Sequence, residues 1–305
     1  MKLSDWAGLM EHFPQRSLVT SPWRDFQRLK LLPGVVLPEF KGDKESFQWK
    51  LNVNNKQILA LDFDGVIADS ILECLVTAYN AYSIHSGPAQ FRTNLDKFNS
   101  TEITEFRRTR IFIRRGEDYV FLLKAAADHV SLNSQDQFDR FLELNSGLRD
   151  EYRELFYSQR KKLQDQDLPS WLALNPLYPG IETFLRSRIV AERLFVVTTK
   201  DLESVHHILL SRNIPFQSKN LFQATKTYGK PQILSHISST RGVEENDIHF
   251  IDDHPATVIE VAEQTEVVSY CAVWGYNSDE QLENLIKMKI ATLTLEAFTT
   301  AFSQV

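Results

Sequence analysis

The chain has 305 residues, of which 43% are hydrophobic and 24% charged, and it carries a formal net charge of −6. That length can bury a large core in one domain or two, and the balance is that of a globular chain rather than a disordered one. The negative charge argues against nucleic acid or an anionic membrane as the main partner.

No apolar run is long enough to span a bilayer. The N-terminus, Met1-Lys2-Leu3-Ser4-Asp5-Trp6, lacks the apolar core of a signal peptide, so a cytoplasmic location is expected. The two cysteines, Cys74 and Cys271, stand far apart with no CxxC spacing, which fits a reducing compartment and no structural zinc.

In chain order, residues 1–55 read as an N-terminal extension. Ser4 to Phe13 has a short-helix pattern, and prolines punctuate positions 14, 22, 33 and 38. Phe47, Trp49, Leu51 and Val53 alternate with polar residues as a strand would, and Asn54-Asn55 would turn it as a hairpin. Such a hairpin conflicts with a central place for the next strand. That strand is Ile58-Leu59-Ala60-Leu61, an apolar run that ends in Asp62-Phe63-Asp64-Gly65.

Residues 71–175 read as a helical insert. Ile71 to His85 is helical, Phe91 to Ser100 loop-like, and further helices are expected at about 102–115, 117–130, 134–145 and 148–166.

From Pro176 the pattern alternates. Pro179-Gly180 opens a helix, and Leu194-Phe195-Val196-Val197 is a buried strand ending in Thr198-Thr199-Lys200. Asp201 caps the next helix, and a short strand at Leu221-Phe222 leads to Gly229-Lys230-Pro231 and a helix over 232–239. Ile248-His249-Phe250-Ile251 then runs into Asp252-Asp253-His254-Pro255, and the last strong strand, Val267 to Val273, closes at Trp274-Gly275-Tyr276.

This alternation predicts right-handed βαβ units and an α/β fold, a doubly wound parallel sheet. Residues 56–70 and 176–305 form the core, with 71–175 inserted after the first strand. In such sheets ligands bind outside the carboxyl ends of the strands. That rule selects Asp62, Asp64, Thr198, Thr199, Lys230, Asp252 and Asp253. Each has a bland reading: the acids as turn residues, Asp253 as a helix cap, Lys230 as a solvated lysine.

Together they form a coherent set. Acid side chains alone repel phosphate, so several of them beside one lysine and one hydroxyl imply a Mg²⁺ that inverts the local charge. A carboxylate can attack phosphorus while a second moves the proton, with the lysine and hydroxyl stabilising the transferring oxygens.

The four strand ends resemble the motifs of the haloacid dehalogenase-like (HAD) hydrolase superfamily. Leu61-Asp62-Phe63-Asp64-Gly65-Val66-Ile67-Ala68-Asp69-Ser70 stands close to that family's DxDG[TV]xxDS. Val196-Val197-Thr198-Thr199-Lys200, Gly229-Lys230-Pro231 and Phe250-Ile251-Asp252-Asp253 follow in the family's order. The resemblance covers about 56–70 and 176–305, reaches the insert by position only, as a C1-type cap, and does not cover the first 55 residues.

The resemblance implies Asp62 as nucleophile and Mg²⁺ ligand, and Asp64 as general acid/base with its backbone carbonyl on the metal. It implies Thr198 as phosphoryl-binding, Lys230 as the group that orients Asp62, and Asp253 as a Mg²⁺ ligand with Asp252 beside it as a second or outer one. Val66 and Thr199 depart from the commonest residues of the pattern, Thr and Asn respectively, so Thr199 is a weaker substrate-binding candidate. Trp274-Gly275-Tyr276 resembles a stretch of the phosphoglycolate phosphatase/β-phosphoglucomutase-like branch. Asp64 is the acid that dehalogenase members lack, which favours a phosphate ester over a haloacid.

In the insert, Arg107, Arg110 and Arg114 share one helical stripe, and Arg108 and Arg115 a neighbouring one. Most read as a solvated face paired to Glu105, Glu117 or Asp118. Arg114 and Arg115, near Gly116, are the expected substrate-binding residues. The functional expectation is a Mg²⁺-dependent phosphatase acting on a small phosphorylated substrate. The alternatives are a phosphomutase with the same motifs and a non-catalytic HAD-like module that binds a phospho-ligand or a protein.

Overall fold

The computed structural model describes residues 57–302 apart from 88–89 and 189–191. The helix expected over 4–13, the strand over 47–53 and the Asn54-Asn55 turn lie outside the described residues, as does the whole 1–55 extension.

Among the described residues, six strands form one parallel sheet: β1 Ile58–Leu61, β2 Leu194–Thr198, β3 Leu221–Gln223, β4 Ile248–Asp252, β5 Val268–Ala272 and β6 Ala291–Leu293. Their order is β3-β2-β1-β4-β5-β6. The chain builds outward from β1 to β3, then crosses back to lay β4 against the other side of β1. So β1 and β4 flank the point where strand order reverses, and a crevice opens there beyond their carboxyl ends.

The strands are continuous apolar runs because helices cover both faces of the sheet. Side chains alternate between the faces. Ile58 and Ala60 pack with Phe195, Val197 and Phe250 under α8 (Lys230–Arg241) and α9 (Pro255–Gln264). Leu59 and Leu61 pack with Leu194, Val196 and Ile251 under α6 (Ile181–Arg188), α7 (Leu202–Ser211) and α11 (Leu295–Ala301). At the far edge, α10 (Asp279–Lys287) closes over Val258 and Cys271 through Leu285.

The insert leaves and rejoins the core through two segments that pair with each other. Ala68 bridges Leu177 antiparallel, the Asp69 amide donates to the Pro176 carbonyl, and the Tyr178 amide donates to Ile67. Between them lie α1 (Ile71–Ser86), α2 (Ser100–Thr109), α3 (Gly116–Ala127), α4 (Gln135–Leu144) and α5 (Arg149–Ala173). Aromatic rings form their common core, with Tyr119 stacked between Phe106 and Phe156. Gly116 is needed because a Cβ there would meet the Phe156 ring at 2.7 Å.

The structure corrects the sequence reading in several places. The helix expected over 102–115 is α2 followed by a 3-10 turn, Arg110–Phe112. The helix expected to end near 166 instead kinks at Asp167 (φ −153°, ψ 66°) and continues past Pro169 as α5. Proline at the start of a new helical turn has no amide bond to lose. Lys230 begins α8 instead of lying on a loop. Elements α10, β6 and α11 were not anticipated. β6 is three residues long and only Leu293 is buried, so it lacks the apolar run that marks the other strands. Among the described residues, no helix is long and apolar enough to cross a membrane.

Candidate functional site

The carboxyl ends of β1 and β4 bring Asp62, Asp252 and Asp253 together, one carboxylate oxygen from each within 4.8 Å of the others, all three side chains buried. Each acid is held by its own partners. The Phe63 amide donates to Asp62 Oδ1 at 2.7 Å, and the Tyr276 amide donates to Asp253 Oδ2 at 2.7 Å. The His254 amide donates to Asp252 Oδ1 at 2.8 Å. Lys230 enters from the first turn of α8, its Nζ 2.7 Å from Asp252 Oδ2 and 3.0 Å from Asp62 Oδ2. Both oxygens of Asp252 are therefore committed, one to His254 and one to Lys230. Asp62 is committed in the same way, Oδ1 to the Phe63 amide and Oδ2 to Lys230.

Two glycines make room for Asp253. Gly65 has φ +87°, and a Cβ there would lie 2.1 Å from Asp253 Oδ2. A Cβ on Gly275 would lie 2.2 Å from Asp253 Cβ. The backbone can approach the carboxylate this closely only without a side chain.

Lys230 pairs with two of the three buried acids, Asp62 and Asp252, while Arg110 acts on the third, Asp253. Burial pushes the Asp62 carboxyl up, Lys230 opposes that, and Asp252 adds to it, leaving Asp62 at about 6. Burial raises Asp253 well above the ordinary carboxylate range against the pull of Arg110, with Asp252 and Asp62 adding to the rise. Burial lowers the His254 imidazole to about 4, so it stays neutral beside the acids. A hard divalent cation is the species such an all-oxygen, over-acidic cluster would hold.

Thr198, at the end of β2, is buried, and its hydroxyl oxygen accepts from the Lys200 amide at 3.1 Å, which leaves its own O–H to donate. Thr199 is exposed and lines an open cavity with Lys230, Thr225 and Thr257. Asp64 turns away from the three-acid cluster. Its Oδ1 accepts from Ser70 Oγ, and Lys200 Nζ lies 3.3 Å from Oδ1 and 3.4 Å from Oδ2.

The arginines of the insert sort differently from expectation. Arg114 is exposed and forks onto Asp139 at 2.8 and 3.0 Å, and Arg115 is an exposed cap of α3. Neither side chain bonds to the acids of the crevice, although the Arg114 charge is felt at His254. Arg108 pairs with Glu105. It is Arg110 that faces the site: its guanidinium sits 4.5 Å from the centre of the Tyr276 ring and acts on Asp253. Arg107 pairs with Asp69 at 2.9 Å, at the root of the insert. Both belong to the set of three read from the sequence, although Arg114 itself lies beyond the helical residues.

Sequence reasoning passed over Tyr276, Lys200 and Glu73. The Tyr276 hydroxyl donates to Asp69 Oδ1 at 2.7 Å and accepts from the Ile71 amide at 3.2 Å, while Trp274 Nε1 donates to the Val66 carbonyl at 3.1 Å. The Trp274-Gly275-Tyr276 stretch thus clamps the loop after β1 onto the loop after β4. The sequence signal was its position at the end of β5.

No protein-family model matches the chain, and no curated protein matches it in sequence. Solved structures do match. A haloacid dehalogenase-like family hydrolase from Streptococcus pneumoniae aligns with 14% identity over 82% of this chain and all of its own, with a TM-score of 0.53. A predicted phosphatase from Clostridium acetobutylicum aligns at 13% identity over 81% of this chain and 98% of its own, TM-score 0.50. A candidate phosphoglycolate phosphatase from Lactobacillus delbrueckii subsp. bulgaricus aligns at 17% identity over 81% of this chain and 98% of its own, TM-score 0.50. The chain has the fold of the haloacid dehalogenase-like hydrolases, a parallel α/β sheet with helices inserted after its first strand.

Proposed function

We propose that the protein is a Mg²⁺-dependent phosphatase that hydrolyses a small phosphate monoester through an aspartyl-phosphate on Asp62. The observation that carries this reading is the three-acid, one-lysine cluster at the switch point of the sheet, with Asp64 two residues past Asp62 after β1 and Thr198 at the end of neighbouring β2.

The residues fit a magnesium ion. The donors are all oxygen, and burial together with mutual repulsion among the acids raises the proton affinities of Asp62 and Asp253 despite Lys230 and Arg110, a cost that a bound cation would offset. Asp62, Asp253 and the Asp64 backbone carbonyl would hold it, with Asp252 tying down Lys230 from behind. When bound, the ion screens the acids from the incoming phosphate and draws charge from its oxygens.

The remaining chemistry belongs to the chain. An Asp62 oxygen attacks phosphorus, and Asp64, protonated, gives its proton to the departing ester oxygen as the P–O bond breaks. Asp64, now ionised, then takes a proton from a water that attacks the phosphoryl group and frees Asp62. Lys230 holds Asp62 aimed by its 3.0 Å contact and offsets charge on the transferring oxygens, and the Thr198 hydroxyl donates to one of them. The 71–175 insert acts as the cap over the crevice, and Arg110 rather than Arg114 or Arg115 is its cation nearest the chemistry. Retention of both acids at each of the first and fourth strand ends favours an enzyme over a binding module.

The test is turnover of p-nitrophenyl phosphate and of a panel of sugar phosphates, phosphoglycolate and nucleotides. The expected result is activity that requires Mg²⁺ and falls on the order of a thousand-fold or more in Asp62→Asn. A folded parent that hydrolyses nothing on the panel with Mg²⁺ present contradicts the reading.

A further inference from the structure

Behind Asp64 lies a second set of buried charges that the proposed mechanism does not use. Lys200, two residues past Thr198, has almost no exposed side-chain surface, and its Nζ sits between Asp64 and Glu73, 3.3 Å from Asp64 Oδ1 and 3.6 Å from Glu73 Oε2. Glu73, on α1 of the insert, is fully buried. Arg160, on α5, forks onto both Glu73 oxygens at 2.9 Å and reaches Asp201 Oδ2, at the start of α7, at 3.2 Å. The Thr77 hydroxyl gives Glu73 a further bond at 2.7 Å. Alongside, Gln164 of α5 donates to Ser204 of α7 at 2.9 Å.

A buried ammonium is tolerated only where carboxylates compensate it, so the place of Lys200 is set by both of its acids at once. One of those acids, Asp64, belongs to the core. The other, Glu73, belongs to the insert and is itself fixed by a second insert helix. The Asp64 carboxylate, with Ser70 on one oxygen and Lys200 across both, therefore has its orientation set from the insert side.

On the phosphatase reading, we propose that Lys200 is a positioning residue for Asp64, and that the Glu73–Arg160 pair anchors it. Seating of the helical insert on the core and alignment of the general acid are then one event. A proton donor must lie within hydrogen-bond reach of the departing oxygen, so an unaligned Asp64 costs most where the leaving group most needs its proton. The mechanism needs Asp64 little for p-nitrophenolate, which departs readily as an anion, and strongly for the more basic phenolate.

The experiment compares kcat/KM for p-nitrophenyl phosphate and phenyl phosphate, two esters of nearly the same shape, in the full chain with Mg²⁺. Their ratio, taken in one sample, does not depend on what fraction of the protein is folded. Lys200→Met is expected to lower kcat/KM on phenyl phosphate by at least about tenfold more than on p-nitrophenyl phosphate. Lys200→Arg, which keeps the charge, should close part of that gap, and Glu73→Gln should open a smaller gap of the same sign. Equal losses on both esters in Lys200→Met and Glu73→Gln, or no loss, would overturn the proposal, because a merely structural lysine lowers both rates alike. A parent that turns over neither ester removes the phosphatase reading itself, and this inference with it.

Discussion

Two groups of buried charge lie side by side beyond the ends of β1, β2 and β4, and they are balanced differently. In the Asp64–Lys200–Glu73–Arg160 group every acid has a cation. Burial acts to raise Glu73, but Arg160 and Lys200 overcome it and hold the carboxyl at about 2. In the Asp62–Asp252–Asp253 group Asp62 and Asp252 share Lys230, Arg110 acts on Asp253, and burial still pushes Asp62 and Asp253 up. The balanced group is complete as it stands and rigidifies what it touches. The unbalanced one carries an electrostatic cost that a bound cation would relieve. On the proposed reading, that contrast separates the group that positions from the group that binds and reacts.

Breaking the balanced group should have the largest effect on stability. Glu73→Gln leaves Arg160 buried with half its compensation, and urea unfolding should show a loss of about 3–5 kcal/mol. The unbalanced group should respond in the opposite way. In metal-free buffer Asp253→Asn removes one of three crowded acids and should leave stability unchanged or raised.

Saturating Mg²⁺ separates the two groups further. At a hundredfold excess over its dissociation constant it should stabilise the parent by about 2.7 kcal/mol. It should stabilise Asp253→Asn far less, read as the shift in melting temperature on adding EDTA. A melting temperature indifferent to Mg²⁺ in the parent would erase the contrast.

The pH dependence sharpens it. Asp62 and Asp118 both sit at about 6 against an ordinary 3.8, so between those values the folded chain holds protons that the unfolded chain has lost. Stability of the metal-free protein should therefore fall as pH rises from about 4 to about 6. Glu73 works in the other direction: its contribution is present above about 4.5 and is lost as pH falls toward 2. Thermal melts without metal should peak between these windows, near pH 4–5, and Mg²⁺ should weaken the decline above it. The smallest effect belongs to the exposed insert surface, where Arg108→Ala breaks its pair with Glu105 and its bonds to the Leu132 carbonyl and should change stability by less than about 1 kcal/mol.

The acid cluster was legible in the sequence because its acids follow buried apolar runs. Asp62 after Ile58–Leu61, Thr198 after Leu194–Val197 and Asp252 after Ile248–Ile251 are local signals, and the parallel-sheet rule gathers them without knowledge of any contact. The positioning group was not legible, because its bonds join residues far apart in the chain. Arg160 meets Glu73 across 87 positions, and Lys200 meets Asp64 across 136. Glu73 sat in the helix read over Ile71 to His85, and an amphipathic reading assigns a charged position there to solvent. In the structure α1 is buried on nearly all sides, so a charge hidden there breaks the amphipathic rule. The arginine stripe was read on one continuous helix, but the helix ends at Thr109 and a 3-10 turn at Phe112, so Arg114 lies past it and shares no helical face with Arg107 and Arg110. Which arginine faced the crevice depended on where α2 ended, and helix ends are set by tertiary packing as much as by sequence.

The central claim is that Asp62 carries the phosphoryl group. The most direct measurement is mass spectrometry of the protein quenched in acid during turnover of p-nitrophenyl phosphate with Mg²⁺. The account predicts one added phosphoryl group on the peptide containing Asp62, absent in Asp62→Asn and absent when Mg²⁺ is chelated. Turnover with no label on Asp62, or with the label on another residue, would contradict it.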